Sequence, residues 1–356
     1  MKYTKIDFNN KTILITGGAG FIGSNIVRAL NEQGREEILV VDDLVDASKV
    51  VNLSDLRTTD YVDRATFQRE IVDHGLPAKT TAIFHQGACS DTMATDGREV
   101  MQTNFTFSKN LLEVCIESQI PLIYASSAAV YGRDGPFAVG VKNETPLNVY
   151  AYSKYLFDQL VRSRLSACRS QVVGLRYFNV YGPREAHKGR MASVVYQLFQ
   201  QFQNQGSIRL FEGAGGFPDG EQRRDFVSVK DVALVNLYML DHPEASGIIN
   251  VGTGYSRSFN DVALAVINTC RAGCGEPEWS LQDAQQSEAI VYFPLPAELN
   301  GKYQSFTEAD LQELRALGYA DEMTSLEAGV RHYVHHLQGK SRSDSSKTKT
   351  IGVNIR

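Results

Sequence analysis

The stretch "KTILITGGAGFIGSNIVRALNEQG", residues 11–34, limits what this chain can become more than any other. A β-branched apolar run enters a glycine cluster and leaves it as a periodic apolar segment that stops near Gly34, the order of strand, tight turn and helix. Gly18, Gly20 and Gly23 fit G-x-G-x-x-G, and Gly17, Gly20 and Gly23 also fit the more open G-x-x-G-x-x-G spacing. Such glycines let the chain turn sharply, let a pyrophosphate approach the backbone and let helix pack on strand, while the helix N-terminus offers its N–H groups to phosphate. A second buried run, "EILVVDDL", ends in Asp42 about 20 residues past the last glycine, where an acid can bind an adenosine ribose. Together the two runs predict a βαβ unit that holds a dinucleotide.

The alternation continues. "TAIFHQGA" reads as a strand, "VMQTNFTFSKNLLEVCIES" as a helix, "PLIYASSAAVYG" as a strand running into a polar turn, "VYAYSKYLFDQLVR" as a helix and "QVVGLRYFNVYG" as a strand. Strands alternating with helices predict an α/β fold, a doubly wound parallel sheet of the Rossmann type, with ligands beyond the carboxyl ends of the strands. That rule selects "HQGACS", "SSAAV" and "FNVYGP" as cleft-lining segments. After about residue 184 the pattern loosens into the glycine-rich loop "EGAGGFPDGEQRRD", short strands near "DFVSV" and "GIINVGTG", and helices at "DVALVNLYML", "FNDVALAVI" and "EADLQELRALG". We therefore expect a dinucleotide-binding domain with the catalytic residues over 1–184. A smaller C-terminal lobe, mainly substrate-binding and with some segments returning to the core, should cover 185–337. Residues 338–356 are polar, Ser/Lys-rich and without periodicity, and read as a disordered tail.

Composition removes several function classes. Of the 356 residues 43% are apolar, enough for a sizeable core. The net charge is −5 and the basic residues are scattered, which leaves no footprint for nucleic acid. No apolar run approaches bilayer length and "MKYTKIDFNN" lacks the apolar centre of a signal peptide, so no membrane partner and a cytoplasmic location are expected. The five cysteines are too sparse for a disulfide framework or a metal site. His332, His335 and His336 in "RHYVHHL" read as the exposed face of a last helix, and no metal is expected.

The helix at 149–162 carries the chemistry. Tyr150 and Lys154 stand one turn apart on one face. The lysine's charge would stabilise tyrosinate and lower the phenol's pKa toward neutrality. Ser127, at the end of the preceding strand, could bond the same substrate oxygen. Ser, Tyr and Lys in that order after a dinucleotide turn point to proton transfer beside a cofactor. Arg223 and Arg224 in "EQRRDF" face the expected cleft, where one could bind a diphosphate bidentately.

The segments "TGGAGFIG", "SSAAVYG" and "YAYSK" resemble the extended short-chain dehydrogenase/reductase family that acts on nucleotide sugars, and the resemblance runs to about residue 337. It implies NAD(P)-dependent chemistry at a sugar carbinol, with Tyr150 as acid/base and Lys154 on the nicotinamide ribose. Dehydratases of that family carry an Asp-Glu pair where this chain has Ala128 and Ala129. A methyl group moves no proton, so epimerisation or reduction remains. "FHQGACS", "RYFNVYGPREAHKGRMASV", "LFEG" and "GKYQSFTEADL" narrow the resemblance to epimerases and imply an ADP-heptose as substrate. It makes Tyr150 and Lys188 the two acid/base groups. It sets Ser127, Asn179, Arg190, Gln197, Phe211, Glu212, Gly213, Ala214, Arg224 and Tyr303 around the substrate. The cofactor set is Gly17, Gly20, Phe21, Ile22, Gly23, Asp42, Asp43, Lys49, Arg64, Gln86, Gly87, Ala88, Cys89, Ser90, Asn104, Lys154 and Val180. A homo-oligomer is expected. A UDP-hexose epimerase or nucleotide-sugar reductase is the alternative enzyme, and a non-catalytic dinucleotide sensor is the alternative outside catalysis.

Asp42 by itself favours NAD, since a carboxylate accepts from ribose hydroxyls and repels a 2′-phosphate. The resemblance favours NADP, with Lys49 and Arg64 on the phosphate, and NADP is the expectation. Three places depart from the family pattern: Asp91 follows "ACS" in place of a small hydroxyl residue, Gln86 replaces an acid, and the loop after Gly213 has an extra "GFPDG".

Overall fold

The computed structural model of the chain describes residues 7–296 and 303–348. Its strands are β1 (Asp7–Thr16), β2 (Ile38–Asp42), β3 (Asp60–Asp63), β4 (Ala78–His85), β5 (Leu122–Ser127), β6 (Val172–Tyr177), β7 (Asn179–Tyr181), β8 (Ile208–Phe211), β9 (Arg223–Ser228), β10 (Gly247–Val251), β11 (Ser256–Ser258) and β12 (Ile290–Phe293). Its helices are α1 (Phe21–Glu32), α2 (Arg64–His74), α3 (Gly97–Met101), α4 (Phe107–Ser118), α5 (Val149–Leu165), α6 (Val194–Gln205), α7 (Val229–Asp241), α8 (Phe259–Gly273), α9 (Leu281–Gln286), α10 (Gln312–Ala316) and α11 (Leu326–Thr348).

Seven parallel strands in the order β10-β6-β5-β4-β1-β2-β3 make the central sheet, as the alternation predicts. Helices cover both faces, so the inner strands are apolar throughout and successive residues feed opposite cores. Ile13, Ile15, Val40, Ile123 and Leu175 pack with Ile26 and Leu30 of α1 and Val232 and Val235 of α7. Leu14, Leu39, Ile83, Leu122 and Tyr124 pack on the other side with Phe67, Phe107, Leu111 and Phe157 from α2, α4 and α5. The strand order reverses between β1 and β4, and a crevice opens beyond their carboxyl ends.

The smaller sheets β11-β9-β7 and β12-β8 belong to the later half of the chain. There Leu198 and Phe199 of α6, Val262 and Val266 of α8, and Val330 and Val334 of α11 form a separate core with Ile208 and Ile290. Two segments beyond residue 184 return to the large sheet. β10, the "GIINV" strand, pairs with β6 from Gly247↔Val173 to Val251↔Tyr177, and α7 packs beside α1.

Three local differences from the sequence reading have physical causes. β3 and α2 carry no signal in the sequence, because "DYVD" is a mostly exposed edge with one half-buried residue and no alternation. The single helix read through "VMQTNFTFSKNLLEVCIES" is α3, a π-helical turn at Gln102–Thr106, and α4. α11 runs to Thr348, into the 338–356 segment read as a disordered tail; residues 349–356 lie outside the described part. Once Val330, Tyr333 and Val334 anchor the helix, each further residue adds a hydrogen bond without a new nucleus. His332 and His335 are exposed on that helix, and among the described residues no cluster could hold a metal ion. Among them, too, no helix is long and apolar enough to cross a membrane.

Candidate active site

A cleft of about 810 Å³ lies over the crevice. Its floor is the glycine turn. Gly17 has φ +68°, and a Cβ there would lie 2.5 Å from the Gly87 nitrogen; a Cβ on Gly23 would lie 2.1 Å from the Gly17 carbonyl oxygen. A side chain at either place would collide with that backbone and force the turn apart. α1 begins at Phe21 with Gly20 as a cap that has no side chain, and no acid stands in its first turn. Backbone N–H groups are thus left for an anion, the donor set that a dinucleotide's pyrophosphate requires. Gly17, Gly20, Phe21, Ile22, Gly23, Asp42, Asp43, Lys49, Arg64, Lys154 and Val180 all line this cleft, as do Gln86, Gly87, Ala88, Cys89 and Ser90. The residues present fit a nicotinamide dinucleotide.

Asn104 is the exception. It is 1% exposed and does not reach the cleft. Its carbonyl accepts from Cys89 N (2.8 Å), and its amide donates to Cys89 O (3.0 Å) and Ser153 Oγ (3.0 Å). Through these bonds it clamps the wall at Cys89 to α5.

At the mouth beyond β2 two acids and two cations neutralise one another. Asp42 accepts from Ala19 N (2.8 Å) and from Lys49 Nζ (3.2 Å); Asp43 accepts from Lys49 Nζ (3.1 Å) and Arg64 Nε (3.1 Å). Burial works against the Lys49 ammonium, but Asp42 and Asp43 outweigh it and hold its pKa above the ordinary value.

Ser127 ends β5 and caps the turn that follows, accepting from Ala129 N (3.2 Å). Asn148 caps α5 through Ala151 N (2.8 Å), which sets Tyr150 in the first helical turn. Burial pushes the Tyr150 phenol up, its hydrogen bond with Ser127 works downward, and Cys89 adds a smaller upward push. This corrects the expectation that Lys154 lowers that phenol. The lysine, 5% exposed, donates one of its three N–H groups to Ala125 O (2.8 Å), which ties its ammonium to β5. Its own pKa is pushed down to about 8 by burial, against the pull of Asp158. Ala128 and Ala129 line the cleft beside Ser127 and bring no acid or base.

Lys188 comes from another element, the 3-10 turn Ala186–Met191, and its Nζ stands 5.6 Å from the Phe21 ring centroid. Burial lowers its pKa, and Glu185 acts against that. His187 lines the cleft beside it, with its pKa lowered first by burial and then by Lys49 and Lys188. Sequence reasoning passes over His187 although it stands inside the "GPREAHKGRMAS" stretch. It also misses Met191, Gln304 and Thr307, lining residues for which spacing gives no signal.

Of the expected substrate set, Ser127 and Asn179 line the cleft. Arg190 does not: it is exposed at the rim and pairs with Asp91 (3.2 Å). Gln197 is likewise turned away, its amide donating to Gly189 O (2.7 Å), a carbonyl that also accepts from Ala192 N (3.1 Å). Phe211, Arg224 and Tyr303 form an adjoining group. The Phe211 and Tyr303 rings meet edge to face at 5.7 Å, and the Arg224 guanidinium lies 5.2 Å from Tyr303 and 5.6 Å from Phe259, which lines the cleft. Burial lowers Arg224 to about 10, and among the described residues no carboxylate pairs with it. Glu212, Gly213 and Ala214 continue from β8 into a hairpin closed by Gly213 N donating to Asp219 (2.7 Å) and an Ala214↔Phe217 bridge. Gln86, in the place of the family's acid, bonds Tyr177 (3.0 Å) and Asn236 (3.3 Å).

A model of the NAD dependent epimerase/dehydratase family matches residues 13–252. The chain is 51% identical over 324 residues to a curated ADP-L-glycero-D-manno-heptose-6-epimerase from Thiobacillus denitrificans, covering 91% of this chain and 98% of that one. The solved Helicobacter pylori enzyme of the same name superposes with a TM-score of 0.73 at 32% identity, covering 95% of this chain and 99% of that one. A Thermus thermophilus UDP-glucose 4-epimerase solved with NAD gives 0.70 at 27% identity, over 92% and 99% of the two chains.

Proposed function

Because this chain belongs to the NAD dependent epimerase/dehydratase family, we propose that it inverts C6″ of ADP-glycero-manno-heptose, D-glycero to L-glycero, for the lipopolysaccharide inner core. It does so by transient oxidation and re-reduction with a bound nicotinamide cofactor. The observation that carries this reading is that Tyr150 and Lys188, two side chains able to move a proton, enter one cleft from different elements with no dehydratase acid beside them.

A nicotinamide cofactor held in this cleft would supply a reversible hydride acceptor for the carbinol carbon. Tyr150 handles the hydroxyl proton of one stereoisomer and Lys188 that of the other, because an anchored nucleotide presents the oxygen in two places and one phenol reaches only one of them. Ser127, bonded to Tyr150, holds the substrate oxygen. Lys154, its ammonium fixed on Ala125 O, holds the nicotinamide ribose. The glycine turn and the start of α1 take the pyrophosphate. NADP is the cofactor, with Lys49 and Arg64 toward its 2′-phosphate; this is supported by Asp42, whose carboxylate is already committed to Ala19 N. Arg224 without a carboxylate, between the rings of Tyr303 and Phe259, takes the substrate's diphosphate. Asn179 and the Phe211–Ala214 segment flank it, whereas Arg190 and Gln197 reach the substrate only by leaving Asp91 and Gly189. The same reading places the enzyme in the cytoplasm as a homo-oligomer, in which a second copy covers the exposed Val141, Leu147 and Tyr152 near the start of α5. Sedimentation as a monomer would remove the oligomer.

Incubating the pure protein separately with ADP-heptose and UDP-glucose, and following each by NMR, tests the reaction. Inversion at C6″ of the heptose alone is expected. Tyr150→Phe and Lys188→Met should each slow it by roughly 10²–10⁴-fold, as for a lost general acid or base, with cofactor binding nearly unchanged. Inversion of the hexose alone would replace the substrate, and near-normal turnover by Lys188→Met would remove the second base.

A further inference from the structure

Glu185 stands three residues before Lys188 and has no part in the chemistry above. Its side chain is fully buried. Around it lies a ring of donors: Oε1 accepts from Gly182 N (3.1 Å) and Ser193 Oγ (2.7 Å), Oε2 accepts from Ser193 N, and the Tyr333 hydroxyl of α11 bonds the same carboxylate. The Ser193 hydroxyl itself accepts from Tyr196 N (3.3 Å), which leaves its hydrogen for Glu185. Two of the four partners are backbone N–H groups that can only donate, and both hydroxyls have a hydrogen to give. An ionised carboxylate, which only accepts, satisfies all four with no proton left over.

A buried carboxylate is costly unless a cation answers it. Burial pushes the Glu185 carboxyl up, the hydrogen bonds from Ser193 and Gly182 work downward, and the charge of Lys188 adds a smaller downward pull. The backbone joins the two as well, since Lys188 N donates to Glu185 O (2.9 Å). Other titratable groups about the pair are His187 on the same turn, Tyr196 on α6 and Tyr333 on α11, with Lys49 and Asp46 acting on His187. Glu185 is the group whose charge acts on Lys188.

We propose that Glu185 is a positioning residue for the epimerisation: a buried anion that bolts the 186–191 turn to α6 and α11, fixes where the Lys188 side chain stands, and supplies the counter-charge to its ammonium. The proposal rests on the assignment of Lys188 as the second proton-transfer group. Gln197, donating to Gly189 O from α6, pins the far end of the same turn. Lys188 is therefore held from both sides by residues that need not touch substrate.

The test uses the full-length, cofactor-loaded protein carrying Glu185→Gln, which keeps the shape and removes the charge, and separately Tyr333→Phe, which removes one donor from a distant helix. Steady-state rates give kcat and KM. After reductive ¹³C-methylation, the Lys188 resonance, identified by its absence from Lys188→Met, gives that group's titration by NMR. Glu185→Gln is expected to lower kcat on the order of 10²-fold, as for a displaced catalytic group, with KM nearly unchanged. Loss of the negative neighbour should also move the Lys188 titration to lower pH. Tyr333→Phe should lower kcat in the same sense and by less. Wild-type kcat in Glu185→Gln, or a Lys188 titration that stays put or moves up, overturns the proposal while an inactive Lys188→Met keeps the reading of Lys188 intact. Near-normal turnover by Lys188→Met takes both down. Should Glu185→Gln fail to fold by circular dichroism, an unchanged kcat in Tyr333→Phe is the overturning result.

Discussion

Lys49 and Arg64 are held by the two acids that compete with them for the same ligand. Lys49 touches both Asp42 and Asp43, and Arg64 touches Asp43, so a phosphate arriving here finds cations whose charge is already balanced. It can still take them: a dianion offers more acceptor oxygens than a half-exposed carboxylate, and Asp42 keeps its bond from Ala19 N when Lys49 turns away. Replacing both cations by alanine would remove that attraction and also leave two uncompensated carboxylates facing the phosphate. Removing a charge-assisted hydrogen bond to the phosphate costs about 1.5–3 kcal/mol, while NAD, which has no 2′-phosphate, loses almost nothing. Isothermal titration of the double variant should show NADP weakened far more than NAD. Equal losses for the two cofactors would mean that these side chains do not read the phosphate.

At the scale of elements the informative part is the π-helical turn between α3 and α4, which turns Asn104 inward. Asn104→Ala would leave the Cys89 N–H and C=O without partners, at about 1–3 kcal/mol for each buried group left unsatisfied. A lower Tm is therefore expected, with dinucleotide affinity falling only as the 86–90 wall loosens; an unchanged Tm with affinity abolished would make Asn104 a direct ligand after all. The same turn shows where sequence reading reaches its limit. The glycine turn, the inner strands and α5 are legible because each depends on a local rule: close backbone approach, apolar runs between two covered faces, and a capped helix with Tyr150 at its start. The π turn changes no residue type in an otherwise regular helical pattern, so nothing announces that Asn104 lies outside the cleft lining. The fate of Lys154 is hidden for a similar reason. Its spacing from Tyr150 is local, but the Ala125 carbonyl that takes its ammonium belongs to a strand 29 residues earlier. Arg190 and Gln197 likewise depend on partners, Asp91 and Gly189, that spacing does not encode.

Over the whole molecule, one cleft draws on both halves of the chain. Its walls come from the ends of β1, β2 and β5 and the segment after β4 on the large sheet, and from Asn179, Phe226, Phe259, His187, Lys188 and Met191 on the other side. The Asp91–Arg190 pair at the rim ties the two sides together. Such a closure suits a reaction that must begin and end on the same molecule. A sugar oxidised at its side chain has to stay until the hydride comes back, and water or release at that stage would strand the enzyme with a reduced cofactor. A dehydrogenase has the opposite need, since its reduced cofactor must leave at every turnover. Product should therefore form with no net change in absorbance at the reduced-nicotinamide band, and the cofactor should remain with the protein through gel filtration after many turnovers. A sub-stoichiometric reduced fraction during the steady state would fit, because it reports enzyme caught between the two half-reactions. Reduced cofactor that accumulates in step with product would show that the hydride is not returned, and the chain would then be a dehydrogenase whose two-sided cleft serves some purpose other than epimerisation.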